Sequence, residues 1–136
     1  MENENKLTLF SGVQNKTYCS KVAETQEEKK ELFNALEKCD ALLNDCVGEE
    51  IALKDVYCEE INKPDEETGE IKTTYRTILF DENGQTYATG SYGIYNVMKK
   101  IFAIFGLPDT WTEAVHVEVA KRPIGNGKSS LTLILK

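Results

Sequence analysis

Three strand segments lie between residues 51 and 91: IALKDVYCEEI (51–61), EIKTTYRTILFD (70–81) and GQTYATGS (84–91). The helix segment YGIYNVMKKIFAIFG (92–106) and the hairpin segment AVHVEVAKRPIGNGKSSLTLILK (114–136) follow them. Alternating apolar residues and β-branched or aromatic runs indicate strands, whereas apolar residues spaced three and four apart indicate a helix. The sequence therefore predicts three strands, one amphipathic helix and two more strands.

This order of elements, β-β-β-α-β-β, is the chain order of a five-stranded oligonucleotide-binding (OB) barrel. A chain of 136 residues is long enough for one well-buried domain and too short for two ordinary ones. We therefore predict a mainly β protein with helices, forming a single domain over residues 1–136. The barrel spans residues 48–136, and residues 1–47 form an N-terminal strand and helix extension.

The extension contains one clear helix signal. Thr25 and Glu28 have the spacing of a capping box, in which each side chain satisfies a backbone donor of the first turn. Leu32, Leu36, Cys39 and Leu43 then recur at helical spacing, which predicts a helix over about residues 26–44. LTLF (7–10) and the segment around Tyr18 are candidates for short strands outside the barrel.

The alternation in the first barrel strand predicts which side chains point inward. Ile51, Leu53, Val56 and Cys58 are the inward candidates, and the break in period between Leu53 and Val56 predicts a β-bulge near Asp55. The acidic stretch NKPDEETGE (62–70) reads as a flexible loop, and DENG (81–84) as a tight hairpin turn. In the second strand the sidedness of Tyr75 and Phe80 stays open, since residues 78–80 are all apolar.

The helix segment has the most regular pattern in the chain. Ser91 suits an N-cap, and Gly106 followed by Pro108 suits a C-terminus. Its apolar stripe would plug the open end of the barrel and comprises Ile94, Val97, Met98, Ile101, Phe102 and Phe105. In the final hairpin, Val115, Val117 and Val119 should lie opposite Leu131, Leu133 and Leu135.

Charge and composition narrow the class of function. The formal charge is −7, but residues 1–70 carry 8 Lys or Arg against 18 Asp or Glu, and residues 71–136 carry 8 against 5. An anionic ligand is therefore expected on the C-terminal half. Four cysteines without a CxxC pair and a lone His116 disfavour a zinc site. We expect no enzyme and no cofactor, because no catalytic or phosphate-loop motif is present.

No stretch reads as a signal peptide or reaches the length of a transmembrane helix. With four cysteines that fit free thiols, this predicts a cytoplasmic protein without membrane contact.

Nucleic-acid binding has better candidates than catalysis. Proteins hold single strands with flat aromatic side chains that stack on bases and with basic groups that follow the phosphates. Period two sends the rings of Tyr57 and Tyr87 outward, beside residues predicted to point inward. The candidate binding residues are Lys54, Tyr57, Lys72, Tyr75, Arg76, Tyr87, Lys121, Arg122 and Lys128. Lys99 and Lys100, on the helix, read as solubilising charges, and Trp111 as a packing residue.

Three stretches give the chain a family resemblance: VGEEIALKDVYCEEI (47–61), YRTILFDENGQTYATGSYGIYNVMKKIFAIFGLPDTW (75–111) and KSSLTLILK (128–136). In these stretches it resembles a small phage-encoded single-stranded DNA-binding protein of the OB type. The resemblance implies sequence-independent coating of single-stranded DNA during phage DNA replication or recombination, in the host cytoplasm. It also implies a homodimer or higher assembly, which the N-terminal helix or an exposed barrel edge strand could form. A replication or recombination protein is a further expected partner.

Two alternatives stay open. The excess negative charge of residues 1–70 suits a protein-interaction module that docks a basic partner such as a nuclease or polymerase. The same surface suits a DNA mimic that displaces nucleic acid from an enzyme. Both differ from the main hypothesis in their ligand, because neither requires this chain to bind a single strand.

Overall fold

The computed structural model describes residues 16–136. Seven strands form one sheet in this part of the chain, and two α-helices lie against it. The strands are β1 (Lys16–Cys19), β2 (Ala41–Leu42), β3 (Glu50–Pro64), β4 (Ile71–Asp81), β5 (Thr86–Thr89), β6 (Val115–Gly125) and β7 (Lys128–Leu135). The helices are α1 (Gln26–Glu37) and α2 (Tyr92–Phe105), and short 3₁₀ helices cover Leu43–Cys46 and Pro108–Thr110. The candidate strand at residues 7–10 lies outside the described residues.

The sheet is a curled half-barrel with the strand order β2-β5-β4-β3-β6-β7. Its long central strand, β3, changes partner along its length: residues 50–53 pair with β6, whereas residues 57–60 pair with β1. The register against β4 shifts between Leu53 and Asp55, which confirms the predicted bulge. A bulge bends its strand and increases the local twist, so the two parts of β3 can pair with different neighbouring strands.

The prediction of a mainly β protein with helices is confirmed, but the OB topology is seen only in part. In a closed barrel the third and fifth barrel strands would meet, and no pairing between β5 and β7 occurs within residues 16–136. Instead β2, from the N-terminal extension, pairs in parallel with β5 along the edge that does not pair with β4. Helix α2 packs against β4 and β7.

The hydrophobic core lies between α2 and one face of the sheet, called here the inner face. Ile51, Leu53, Val56 and Cys58 are buried in it, as the alternation predicted. The core also takes Ile94, Met98 and Ile101 from α2, and Val117, Val119, Leu131 and Leu133 from the last hairpin. The predicted inward position of Phe105 was wrong, since its side chain is 46% exposed at the end of α2. Leu135 lies opposite Val117 as predicted, although its side chain is 42% exposed.

Both helices begin as predicted, although α1 ends earlier. The Thr25–Glu28 capping box is formed, and Ser91 Oγ accepts a hydrogen bond from the Ile94 backbone N–H. Helix α1 stops at Glu37 rather than near residue 44, because the chain turns to join the sheet. The Asp40 carboxylate accepts a hydrogen bond of 2.9 Å from the Thr86 N–H, and Leu43 enters the core.

The segment predicted as a flexible loop at residues 62–70 continues β3 as far as Pro64 and is a turn over residues 65–70. β3 and β4 continue to pair as far as Pro64 and Ile71, so the connecting turn covers only residues 65–70. Within the turn, the Asp65 carboxylate accepts hydrogen bonds from the backbone N–H groups of Glu67 and Thr68. Asp65 also pairs with Lys72 at 2.9 Å, which ties the turn to β4.

The opposite face of the sheet, called the outer face, is partly covered by α1. Ile78 and Phe80 are buried there, and neither belongs to the main core. Leu32 and Ala35 of α1 line the same crevice as Phe80. Arg76 donates a 2.7 Å hydrogen bond from Nη2 to the carbonyl of Leu36, one of the carbonyls that the helix end leaves without a partner. None of the helices within residues 16–136 is long and apolar enough to cross a bilayer.

We predict that Gly93→Ala destabilises the fold by about 1–3 kcal/mol, because a Cβ at this position would overlap β7. It would contact Ser130 Oγ and lie 2.6 Å from the carbonyl oxygen of Leu131, which is backbone and cannot turn away. Gly90→Ala is the matched control, since its Cβ would meet its nearest neighbour, the Tyr75 carbonyl, at 3.4 Å. Thermal melts of the two variants test this, and equal melting temperatures would contradict it.

Candidate nucleic-acid interface

Three tyrosines meet where β4 faces the first turns of α2. The ring centroid of Tyr75 lies 5.0 Å from that of Tyr92 and 4.6 Å from that of Tyr95, and both pairs are tilted. The Lys99 ammonium lies 4.9 Å from the Tyr95 ring centroid, within cation–π range. We call Tyr75, Tyr92 and Tyr95 the tyrosine cluster. Such rings, beside a cation, can stack bases while the cation meets a phosphate.

Local structure explains why these side chains converge. Tyr75 lies two and four residues before Thr77 and Leu79, which are buried on the inner face, so its ring points to the same side. On α2, spacings of three and four residues place Tyr92, Tyr95 and Lys99 along one stripe. The Ser91 cap starts the helix next to β4, and Tyr92 remains 56% exposed.

The hydroxyls of Tyr75 and Tyr95 stay neutral over the physiological pH range. Burial raises the pKa of both Tyr75 and Tyr95, and the nearby Glu60 carboxylate raises them further. A phenol that stays protonated adds no negative charge against a phosphate backbone. Tyr75 and Tyr95 therefore add no charge of their own that would repel a polyanion.

A basic hairpin tip adjoins the start of α2. Asn126 and Gly127 form the two-residue turn between β6 and β7, with φ values of 53° and 72°, as a type I′ turn requires. Lys121, Arg122 and Lys128 are all exposed around it. Lys121 lines an open pocket of about 320 Å³ with Ser91, Ser129 and Ser130. The structure thus brings a lysine of the hairpin beside the N-terminus of the helix that carries Tyr92.

Other predicted site residues lie on the outer face, away from the tyrosine cluster. Tyr57 is half-buried there, and burial, with the neighbouring Glu59 carboxylate, raises its pKa to about 12. Arg76 is across from Glu59 and is held by the Leu36 carbonyl of α1. The predicted binding residues are therefore divided between two faces: Tyr75 is on the inner face, whereas Tyr57 and Arg76 are on the outer face.

The outward orientation predicted for Tyr87 was wrong. In β5, Thr86 is opposite Phe80 on the outer face, so the next residue, Tyr87, is opposite Leu79 on the inner face. Tyr87 packs against the core, and its hydroxyl donates a 3.2 Å hydrogen bond to Asp81 Oδ2. Burial, together with the Asp81 carboxylate, raises its pKa to about 12. Its ring thus supports the core side of the sheet.

Two further lysines of the predicted set lie in acidic surroundings. Lys54 is exposed beside the bulge, at the rim of a pocket of about 480 Å³ that also includes Asp55, Glu82 and Asp109. Lys72 is paired with Asp65, although its side chain stays 72% exposed. The carboxylates of the larger pocket repel phosphates, so volume alone does not make it a better nucleic-acid site. No group of three or more His, Cys, Asp or Glu that could hold a metal occurs in residues 16–136.

Sequence reasoning missed Tyr92, Tyr95 and Lys99 as members of one site. Their helical spacing was visible, and it could have identified a polar and aromatic stripe opposite the apolar one. What the sequence did not show is that this stripe faces Tyr75. That contact depends on where α2 crosses the sheet, which is set by Gly93 and β7.

One of three comparisons with known proteins found a match. A family model described as phage single-stranded DNA-binding protein matches residues 11–136. No curated protein and no solved structure gives a significant match to the chain.

We predict that Arg76→Ala lowers the free energy of unfolding by about 1.5–3 kcal/mol, the range for a hydrogen bond that involves a charged group. The reason is structural, because the guanidinium holds the end of α1 on the sheet. Lys72→Ala on the same strand is the control and should change stability by less than about 1 kcal/mol. Urea denaturation of both variants measures the difference, and a neutral Arg76→Ala would contradict this role.

Proposed function

The chain belongs to the phage single-stranded DNA-binding protein family, and we propose on this premise that it coats single-stranded DNA without reading its sequence. Its proposed task is to protect exposed strands during phage DNA replication or recombination, without catalysing a reaction. The tyrosine cluster is the observation that carries this proposal.

The tyrosine cluster has the properties that base stacking requires. Tyr92 is more than half exposed, and Tyr75 supports it from the sheet at a centroid distance of 5.0 Å. A base that lies on an aromatic ring contributes about 1–3 kcal/mol whatever its identity, since every base has a π-face. A ring fixed by its neighbours also loses less conformational freedom on binding.

The phosphate contacts proposed for this strand come from cations of α2 and of the last hairpin. Lys99 lies over the Tyr95 ring, and Lys121 lines a pocket with Ser91 at the start of α2. We propose the exposed Arg122 and Lys128 of the hairpin tip as further contacts. We leave Lys72 out, because it is paired with Asp65 at 2.9 Å and lies four residues before Arg76 on β4, on the same outer face. We assign Tyr57, Tyr87 and Arg76 to packing within the fold, and we leave Lys54 out because carboxylates surround it.

The test is a fluorescence-anisotropy titration with labelled dT oligomers at several salt concentrations. Affinity should fall with salt, with a slope of about −0.7 for each neutralised phosphate. Tyr92→Ala should weaken binding by about 5- to 150-fold, the equivalent of one lost stacking contact. Phe33→Ala is the matched control, because Phe33 is an aromatic residue that is 63% exposed on α1. It should bind as the parent does.

Two outcomes would overturn the proposal. One is a parent protein that binds no dT oligomer at low salt, or that binds duplex DNA equally well. The other is a Tyr92→Ala variant that matches the parent, which would place the strand elsewhere on the molecule. Parallel titrations with rU oligomers would show whether the sugar is discriminated.

We also propose that copies of the chain associate, as a homodimer, through the unpaired edge of β7. This strand pairs only with β6 in the described part of the chain, and Ile134 and Leu135 are partly exposed at its end. A free strand edge can pair with a strand of another chain. Light scattering at increasing protein concentration should show a mass above 15.3 kDa. A constant monomer mass would rule this association out, and Ile134→Lys should lower the measured mass if β7 is the edge used.

A further inference from the structure

Three residues with different chemistry lie in one row across three neighbouring strands. Glu60 on β3 is directly opposite Lys16 on β1 and directly opposite Tyr75 on β4. Opposite residues in antiparallel pairs share a face, so the row is on the inner face with the tyrosine cluster. A cation, a carboxylate and an aromatic ring therefore stand side by side where a nucleotide would lie.

The Glu60 carboxylate is held within this row by its neighbours. It accepts a hydrogen bond of 3.4 Å from Asn62 Nδ2, and it lies close enough to Tyr95 to raise the pKa of that hydroxyl. It is also close enough to raise the pKa of Tyr75. A carboxylate has about four lone-pair positions, so the bond from Asn62 leaves room for a further donor.

The four bases differ in what they offer to a carboxylate. Cytosine presents an exocyclic amino group, a donor that Glu and Asp side chains accept in base recognition. Thymine has no amino group, and its one N–H lies between two carbonyl oxygens that a carboxylate repels. A stacking ring accepts both bases, so any difference between them must come from the groups at the edge of the base.

We propose that Glu60 gives the tyrosine cluster a preference for bases with an exocyclic amino group, with cytosine favoured over thymine. Tyr75 stacks the base, Glu60 accepts from the amino group, and Lys16 neutralises the adjacent phosphate. This inference rests on the proposed function, because it concerns the same bound strand. The protein would still bind strands of any sequence, but it would bind cytosine-rich strands more tightly than thymine-rich ones.

The experiment compares dC and dT oligomers of equal length at one salt concentration. The parent should bind dC at least about fivefold more tightly, the lower end of the discrimination that a good base contact provides. Glu60→Gln should lower this dC-to-dT ratio at least threefold, because its amide can donate to a thymine carbonyl. Glu59→Gln is the matched control: it removes the same charge one residue away, on the outer face, and should keep the parent ratio.

Each outcome decides between the proposals. A parent that binds dT as tightly as dC overturns the role of Glu60 even if Glu60→Gln fails to fold. Equal ratios in the parent and in a folded Glu60→Gln variant overturn it as well. In both cases binding to the oligomers would leave the proposed function standing. A parent that binds neither oligomer contradicts the proposed function itself.

Discussion

The candidate site depends on the close approach of the first turn of α2 to the backbone of β7, which Gly93 allows. Any side chain at this position would meet the Leu131 carbonyl. The approach fixes where α2 crosses the open side of the half-barrel, and so it sets Tyr92 and Tyr95 against Tyr75. It also brings Lys121 of the basic hairpin to the start of the helix. One backbone contact thus assembles aromatic and basic groups from β4, α2 and β6.

The features predicted correctly from the sequence are those set by local periodicity. The inward residues of β3, the bulge near Asp55 and both helix caps depend on neighbours within a few positions. The wrong predictions concern the face of the sheet to which a side chain points and the length of a helix or strand, and both depend on distant parts of the chain. The orientation of Tyr87 was predicted wrongly because both faces of the sheet are partly buried, the outer one by α1. Thr86 is buried on the outer face, so its neighbour Tyr87 points toward the core. The same covering of both faces explains the apolar run at residues 78–80.

The sequence predicted only part of the candidate site, and the reason is related. Tyr75 and the basic hairpin were recognisable as residue types that suit nucleic acid, and both lie near α2. Tyr57 and Arg76 were equally suitable by type, yet the structure uses Arg76 to hold the end of α1. A residue type states what a side chain can bind, whereas its face decides what it meets. Pairing register across three strands, which fixes the face, is not visible in any one strand.

The separation of charge explains how an acidic protein can present a surface to a polyanion. Carboxylates concentrate in residues 1–70, on α1, in the β3–β4 turn and around the bulge. The hairpin tip between residues 121 and 128 contains three cations and no acid. Because salt screens fields beyond about 8–10 Å, a bound strand would sense this local charge rather than the net charge of the chain. Carboxylates that lie beyond this screening distance from the bound strand restrict where the strand can run, but they do not weaken the contacts it makes. Glu60 is the exception among them, because it lies inside the tyrosine cluster, where a carboxylate can act on a base directly.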